Sequence, residues 1–215
     1  MAAANTVSGI PFEKPAVSDS NLHPLIRQRW SPRAFSEREV SDEDLTTLLE
    51  AARWAASASN EQPWRFIVAT RENPAAFGRV LSVLVEANQL WAKNASVLII
   101  AVAKKTSSSS GRPNNHAWHD VGLALGNLVL QAGALGLHAH MMAGFDAAKA
   151  REVFHIPEDF EATTAIAIGY LKDPSTLPDK LREREIASRT RKRLDEIAFG
   201  DTWGKPLFDF EAGNE

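Results

Sequence analysis

The sequence predicts an α/β or α+β domain built on a β-sheet, with an arm at each end. Three observations carry this. Strand-like and helix-like segments alternate along the chain. One segment, "ASVLIIAVA" (95–103), is apolar throughout, as a strand covered on both faces must be. The 215 residues are 44% hydrophobic and 24% charged, enough to bury the core of one soluble domain.

The elements follow in order. Residues 1–20, rich in Ala, Ser and Pro, predict a flexible N-terminal arm; the domain is expected over 21–192 and a C-terminal extension over 193–215. Ser41 with Asp44 three residues later marks a helix start, and Leu45, Leu48, Leu49, Ala52, Ala55 and Ala56 share one helical face. "WRFIVAT" (64–70) reads as a strand. Asn73-Pro74 opens a second helix, whose stripe of Phe77, Val80, Leu81, Leu84, Val85 and Trp91 predicts one element from 74 to 91.

After the central strand, residues 104–115 read as a polar, mobile loop. "DVGLALGNLVLQAGALGL" (120–137) is apolar nearly all round, so it is expected to be a helix buried on every side, in a subunit interface. A short strand over 138–144, a helix capped by Asp146 and a strand over 162–170 complete the domain. The tail from 171 is charged and Pro-punctuated. Its apolar residues, including Trp203 and Phe208, are spread too widely to fold on themselves, which suits an arm packed along a partner subunit.

Several function classes are excluded early. With no cysteine there is no disulfide, thiolate nucleophile or iron–sulfur cluster, so redox chemistry would need a bound cofactor. A net charge of −3 argues against nucleic acid as a partner. The N-terminus has no secretory pattern and no apolar run is long enough for a bilayer, so a cytoplasmic protein without a membrane partner is expected. His116 with His119, and His138 with His140, lack the further ligands a metal site requires. No nucleophile elbow, P-loop or dinucleotide fingerprint occurs.

Three polar constellations remain. Arg29 and Arg33 flank Ser31 and Pro32 in "RWSPR", which fits either an anion held in a fixed pose or a solvated loop. A second basic cluster, Arg189-Thr190-Arg191-Lys192-Arg193, is either a solvated face or the other half of a phosphate site. "SASNEQPWRF" (57–66) offers mixed donors and acceptors, suited to the edge of a polar heterocycle or to an ordinary helix-to-strand turn.

Taken in this order, the motifs resemble the FMN-dependent nitroreductase family over most of residues 22–206. "RWSPRAF", "LLEAARWAASASNEQPWRFIV", "DVGLALGNLVLQAGALGL", "MMAGFD" and "RTRKRLDEIAFGDTWG" each look like a family segment. The resemblance implies an α+β nitroreductase-like fold, with a central mixed β-sheet, flanking helices and both arms wrapping a partner subunit. It implies FMN as cofactor, held by Arg29, Trp30 and Ser31, with Arg189 and Arg191 closing on the phosphate. Arg33 would lie at the flavin N1/O2 edge and favour its reduction. Ser57, Ala58 and Asn60 would reach the flavin from the partner subunit. Asn88 would meet the pyrimidine edge, and Ala143 and Gly144 the N5 side. No residue is assigned as catalytic in its own right, because the flavin carries the chemistry.

This sequence departs from the family pattern at Trp30, Ala56 and Trp91, where Arg or His, Pro and Lys are frequent; a tryptophan there could pack beside the cofactor or narrow the substrate space. The implied activity is ping-pong, two-electron reduction of nitroaromatics, quinones or similar small acceptors by NADH or NADPH, in a homodimer with shared sites. Two other readings are a flavin-binding or flavin-handling protein without NAD(P)H turnover, and a flavin-free domain that uses its arginines for another phosphorylated ligand.

Overall fold

Strand β2 (Val97–Lys104) forms the middle of the fold because all its residues from 97 to 103 are apolar and buried. The protein is represented by a computed structural model that describes residues 12–208, so parts of the expected arm (1–11) and extension (209–215) lie outside the described residues. Around β2 stand β1 (Trp64–Thr70), β3 (His138–Met142) and β4 (Phe160–Gly169), in the order β1-β2-β4-β3. Leu98, Ile100 and Val102 point into one core; Val97, Ile99, Ala101 and Ala103 point into the other. The period of two thus divides one apolar run between two layers.

The α+β class is as expected, but the sheet is antiparallel at all three pairings, not mixed. The connections explain this. The chain leaves β1 at Thr70 and re-enters β2 beside it, at Val97. Strands β2 and β3 do run parallel, but β4 lies between them, so they form no pair.

Helix α1 (Pro24–Gln28) precedes α2 (Asp42–Arg53), which starts where expected: the Ser41 hydroxyl accepts from the Asp44 amide at 3.1 Å. The single helix expected over 74–91 is two, α3 (Pro74–Ser82) and α4 (Glu86–Ala92). The apolar stripe continues through the break, but the backbone there is claimed by another segment. Val85 donates to the Gly144 carbonyl at 3.1 Å, and Asp146 donates to the Val83 carbonyl at 2.8 Å. This tertiary pairing overrides the helical period.

Helix α5 (Ala117–Ala134) packs Val121, Ala124, Leu125, Leu128, Val129 and Ala132 against the sheet and α2. Its other face is not buried within the chain: Trp118, Gly122, Leu123, Gly126 and Asn127 are exposed. Helix α6 (Ala147–Phe154) begins at Asp146, whose side chain accepts from Lys149 N at 2.9 Å. Helix α7 (Asp179–Ile186) has no apolar stripe, and its one buried residue is Glu185.

The loop over 104–115 is tied down. Ser107 Oγ and Ser108 N both donate to the Glu61 carboxylate, at 2.6 and 2.7 Å. Residues 198–207 close a small hairpin-like loop on themselves, with Phe199 and Trp203 rings 5.0 Å apart and Trp203 91% exposed. Among the described residues, no helix is long and apolar enough to cross a membrane.

Candidate functional site

The loop Arg29–Arg33 is fixed from two sides by groups distant in sequence. His140 Nδ1 lies 2.8 Å from the Pro32 carbonyl. Burial, with smaller effects from Arg33 and Arg29, lowers the His140 pKa to about 4, although the Pro32 contact opposes it. The ring is therefore neutral near pH 7, and Nδ1 carries the proton that it donates to Pro32. From the other side, Glu185 Oε1 accepts from Arg33 N at 2.7 Å and Ala34 N at 3.0 Å.

The two basic clusters meet here. Arg29 is half-buried, and its pKa is lowered by burial and then by the nearby charges of Arg189 and Arg191. Arg189 is lowered by burial and by Arg191. Three guanidinium groups from chain positions some 160 residues apart thus repel one another, which is the donor set an anion such as phosphate would relieve. Arg29 Nη1 donates to Ser31 Oγ at 3.2 Å, and Arg189 is held by the carbonyls of Lys14 and Arg27.

Strand β3 leads from this basic end to the turn at Ala143 and Gly144. The Gly144 carbonyl accepts from Asn88 Nδ2 at 2.9 Å. A Cβ on Gly144 would meet that nitrogen at 2.6 Å and Val85 Cγ2 at 3.0 Å, so any larger residue there would have to displace the Asn88 side chain. From His138 to Gly144 the chain spans roughly 20 Å at the rise of a strand. An elongated ligand with an anionic end and a flat, polar-edged end matches that layout.

Ser57, Ala58 and Asn60 are elsewhere. Their turn carries positive φ at Ser59, Asn60 and Gln62, and Ala58 N donates to Asp120 Oδ2 at 3.1 Å. Asp120 is buried near the N-terminal end of α5, whereas Leu25 packs beside Gly133 near the other end. Thirteen residues of helix separate the two places by roughly 20 Å. Within one chain this turn does not join the arginines.

The tryptophan departures resolve differently. Trp91 is 1% exposed and packs against His140 at 4.5 Å and Phe35 at 6.2 Å, so it is a core residue. Trp30, also buried, stands edge-on to His138 and lines a cavity of about 200 Å³ with Lys14, Arg29, Leu137 and Leu171. Glu185 and the two β3 histidines were not expected as part of the site. Glu185 lies in a charged run without periodicity, and the histidines offer only an alternation that also suits a plain edge strand.

The profile of the nitroreductase family matches residues 26–170. The chain belongs to the nitroreductase family. A relative in Archaeoglobus fulgidus, provisionally named an NADH dehydrogenase/NAD(P)H nitroreductase, is 34% identical over 160 residues, covering 69% of this chain and 84% of that protein. A crystal structure of an oxidoreductase containing FMN is 40% identical, with TM-score 0.83 over 88% of this chain and 96% of its own. A provisionally named nitroreductase of Desulfovibrio desulfuricans, solved with FMN, is 26% identical, with TM-score 0.65 over 85% of this chain and 99% of its own. In this nitroreductase-family chain, the segments around Arg29, Ala143 and Arg189 gather along β3, and the turn around Ser57 lies apart, at the N-terminal end of α5.

Proposed function

We propose that this nitroreductase-family protein is an FMN-dependent oxidoreductase. It takes electrons from NADH or NADPH and passes them, two at a time, to small electrophilic acceptors such as nitroaromatics or quinones. The observation that carries the reading is the meeting of Arg29, Arg189 and Arg191 at one end of β3, with Asn88 and Gly144 at the other. The FMN-containing relatives support the choice of ligand, and the name of the archaeal relative supports the electron donor.

The residues fit this cofactor. The arginines offer several charge-assisted donors to a phosphate of charge about −1.5 to −2. Asn88 presents a carboxamide, and Gly144 leaves its backbone bare, where a flat ring edge would come close. Bound FMN would supply the hydride-accepting and hydride-donating chemistry. The chain's own residues hold the phosphate, orient the ring, and place Arg33 where a positive charge favours reduction.

Ser57, Ala58 and Asn60 complete the site only if they come from a second copy. Pairing of the exposed faces of α5 about a two-fold axis brings the N-terminal end of one helix toward the C-terminal end of the other. The apolar face at Trp118 and Leu123, with glycines at 122 and 126, suits close packing of that kind. A homodimer with shared sites follows.

The test is an absorbance spectrum of the purified protein, then addition of FMN and, in separate samples, NADH and NADPH. Flavin absorbance that bleaches on at least one of the two and returns with a quinone is expected. Flavin that binds without bleaching would leave a flavin-handling protein, and a colourless protein that binds no FMN would end the proposal.

A further inference from the structure

Glu185 is a carboxylate side chain with no solvent exposure. Its carboxylate is 0% exposed, although it lies on a helix whose neighbours are mostly in solvent. One oxygen, Oε1, accepts from the amides of Arg33 and Ala34. The other, Oε2, has no hydrogen bond and lies 3.6 Å from Arg33 Nη1. That is an ion pair without a hydrogen bond, between a fully buried anion and a guanidinium that remains 24% exposed.

Holding two backbone amides requires an acceptor, not a charge, and a glutamine would serve. Nor does burial of the pair argue for stability, since desolvation offsets most of the attraction. What the negative charge does add is a field at Arg33, 3.6 Å away, weakly screened because the carboxylate is buried. We propose that Glu185 is the counter-charge of Arg33, reducing the positive charge that the Arg29–Arg33 loop presents to the flavin and so setting the reduction potential. The inference rests on the FMN reading above.

The sign of the effect separates this from a structural role. If Glu185 only held the loop, its loss would let Arg33 drift, and the flavin would become harder to reduce, as in Arg33→Ala. As a counter-charge, Glu185 opposes the negative charge that arrives on reduction. In Glu185→Gln the amide oxygen still accepts from Arg33 N and Ala34 N, but the opposing charge is gone. The flavin then becomes easier to reduce.

The measurement is the reduced-to-oxidised flavin ratio of the FMN-loaded protein, equilibrated with a reference dye of known potential. Glu185→Gln should raise that ratio about tenfold, or about 30 mV for a two-electron couple, and Arg33→Ala should lower it. An unchanged or lowered ratio in Glu185→Gln overturns the assignment. If the wild type binds no FMN, the FMN reading itself has failed, and this assignment with it. If Glu185→Gln is recovered without flavin, Glu185→Asp replaces it. The charge is then drawn back by one methylene, and the ratio should rise by less than tenfold; a ratio at or below wild type overturns the assignment there too.

Discussion

Asn88 donates its side-chain amide to the carbonyl of Gly144, 56 residues away, and its nitrogen lies where a Cβ on the glycine would stand. This contact exists because α3 ends at Ser82 and the chain restarts as α4 at Glu86, turning Asn88 toward the 143–146 turn. Gly144→Ala should displace Asn88 and destabilise the protein by about 1–3 kcal/mol, as overpacking does. Urea unfolding measures the stability, and FMN titration should show weakened binding in the same variant. Wild-type values for both would mean that the turn has slack.

The two basic clusters should separate by function. Arg191 is exposed and donates within the chain to the adjacent Thr190 carbonyl. Arg191→Ala should weaken FMN binding by about 1.5–3 kcal/mol, the size of one hydrogen bond to a charged group. Arg33→Ala should change affinity less and make the flavin harder to reduce. Fluorescence titration and dye equilibration give the two quantities independently.

Stability should depend on pH through β3. Burial, assisted by Arg29, lowers the His138 pKa to about 4, and burial lowers His140 to about 4 as well. Between about 4 and the ordinary value near 6.5, the unfolded chain binds protons that the native chain does not. Stability therefore rises with pH across that window, is complete above it and is lost as pH falls toward 4, by about 3 kcal/mol per ring at most. The urea midpoint should fall between pH 7 and pH 5, and His140→Gln, whose amide can still donate to Pro32, should lessen the fall. A wild-type midpoint equal at both pH values would contradict this.

The open face of α5 should govern both assembly and cofactor retention. Leu123 is 41% exposed at its centre. Leu123→Glu should shift the protein toward monomer in sedimentation and, because Ser57, Ala58 and Asn60 would then be withdrawn, lower FMN occupancy together with it. A monomeric variant that keeps wild-type FMN affinity would place the whole site within one chain.

Much of the fold was legible locally. The β1 segment at 64–70, the N-cap at Ser41, the cap at Asp146 and the doubly covered β2 all follow from propensity, capping and period, which act over a few residues. The basic clusters were legible as residue types. Their meeting was not, because nothing local in "RWSPR" or "RTRKR" says that 160 residues of chain fold back between them. Glu185 was invisible for the same reason: its burial comes from the amides of Arg33 and Ala34, not from its own helix.

By itself, then, the sequence determined the strands, the caps and the supply of cations and amides. Only tertiary structure decided that the 74–91 stripe breaks into two helices, that the sheet is antiparallel, and that a buried carboxylate faces Arg33. Local signals depend on neighbours in the chain, whereas these three features depend on backbone and charged groups that meet only after the chain has folded.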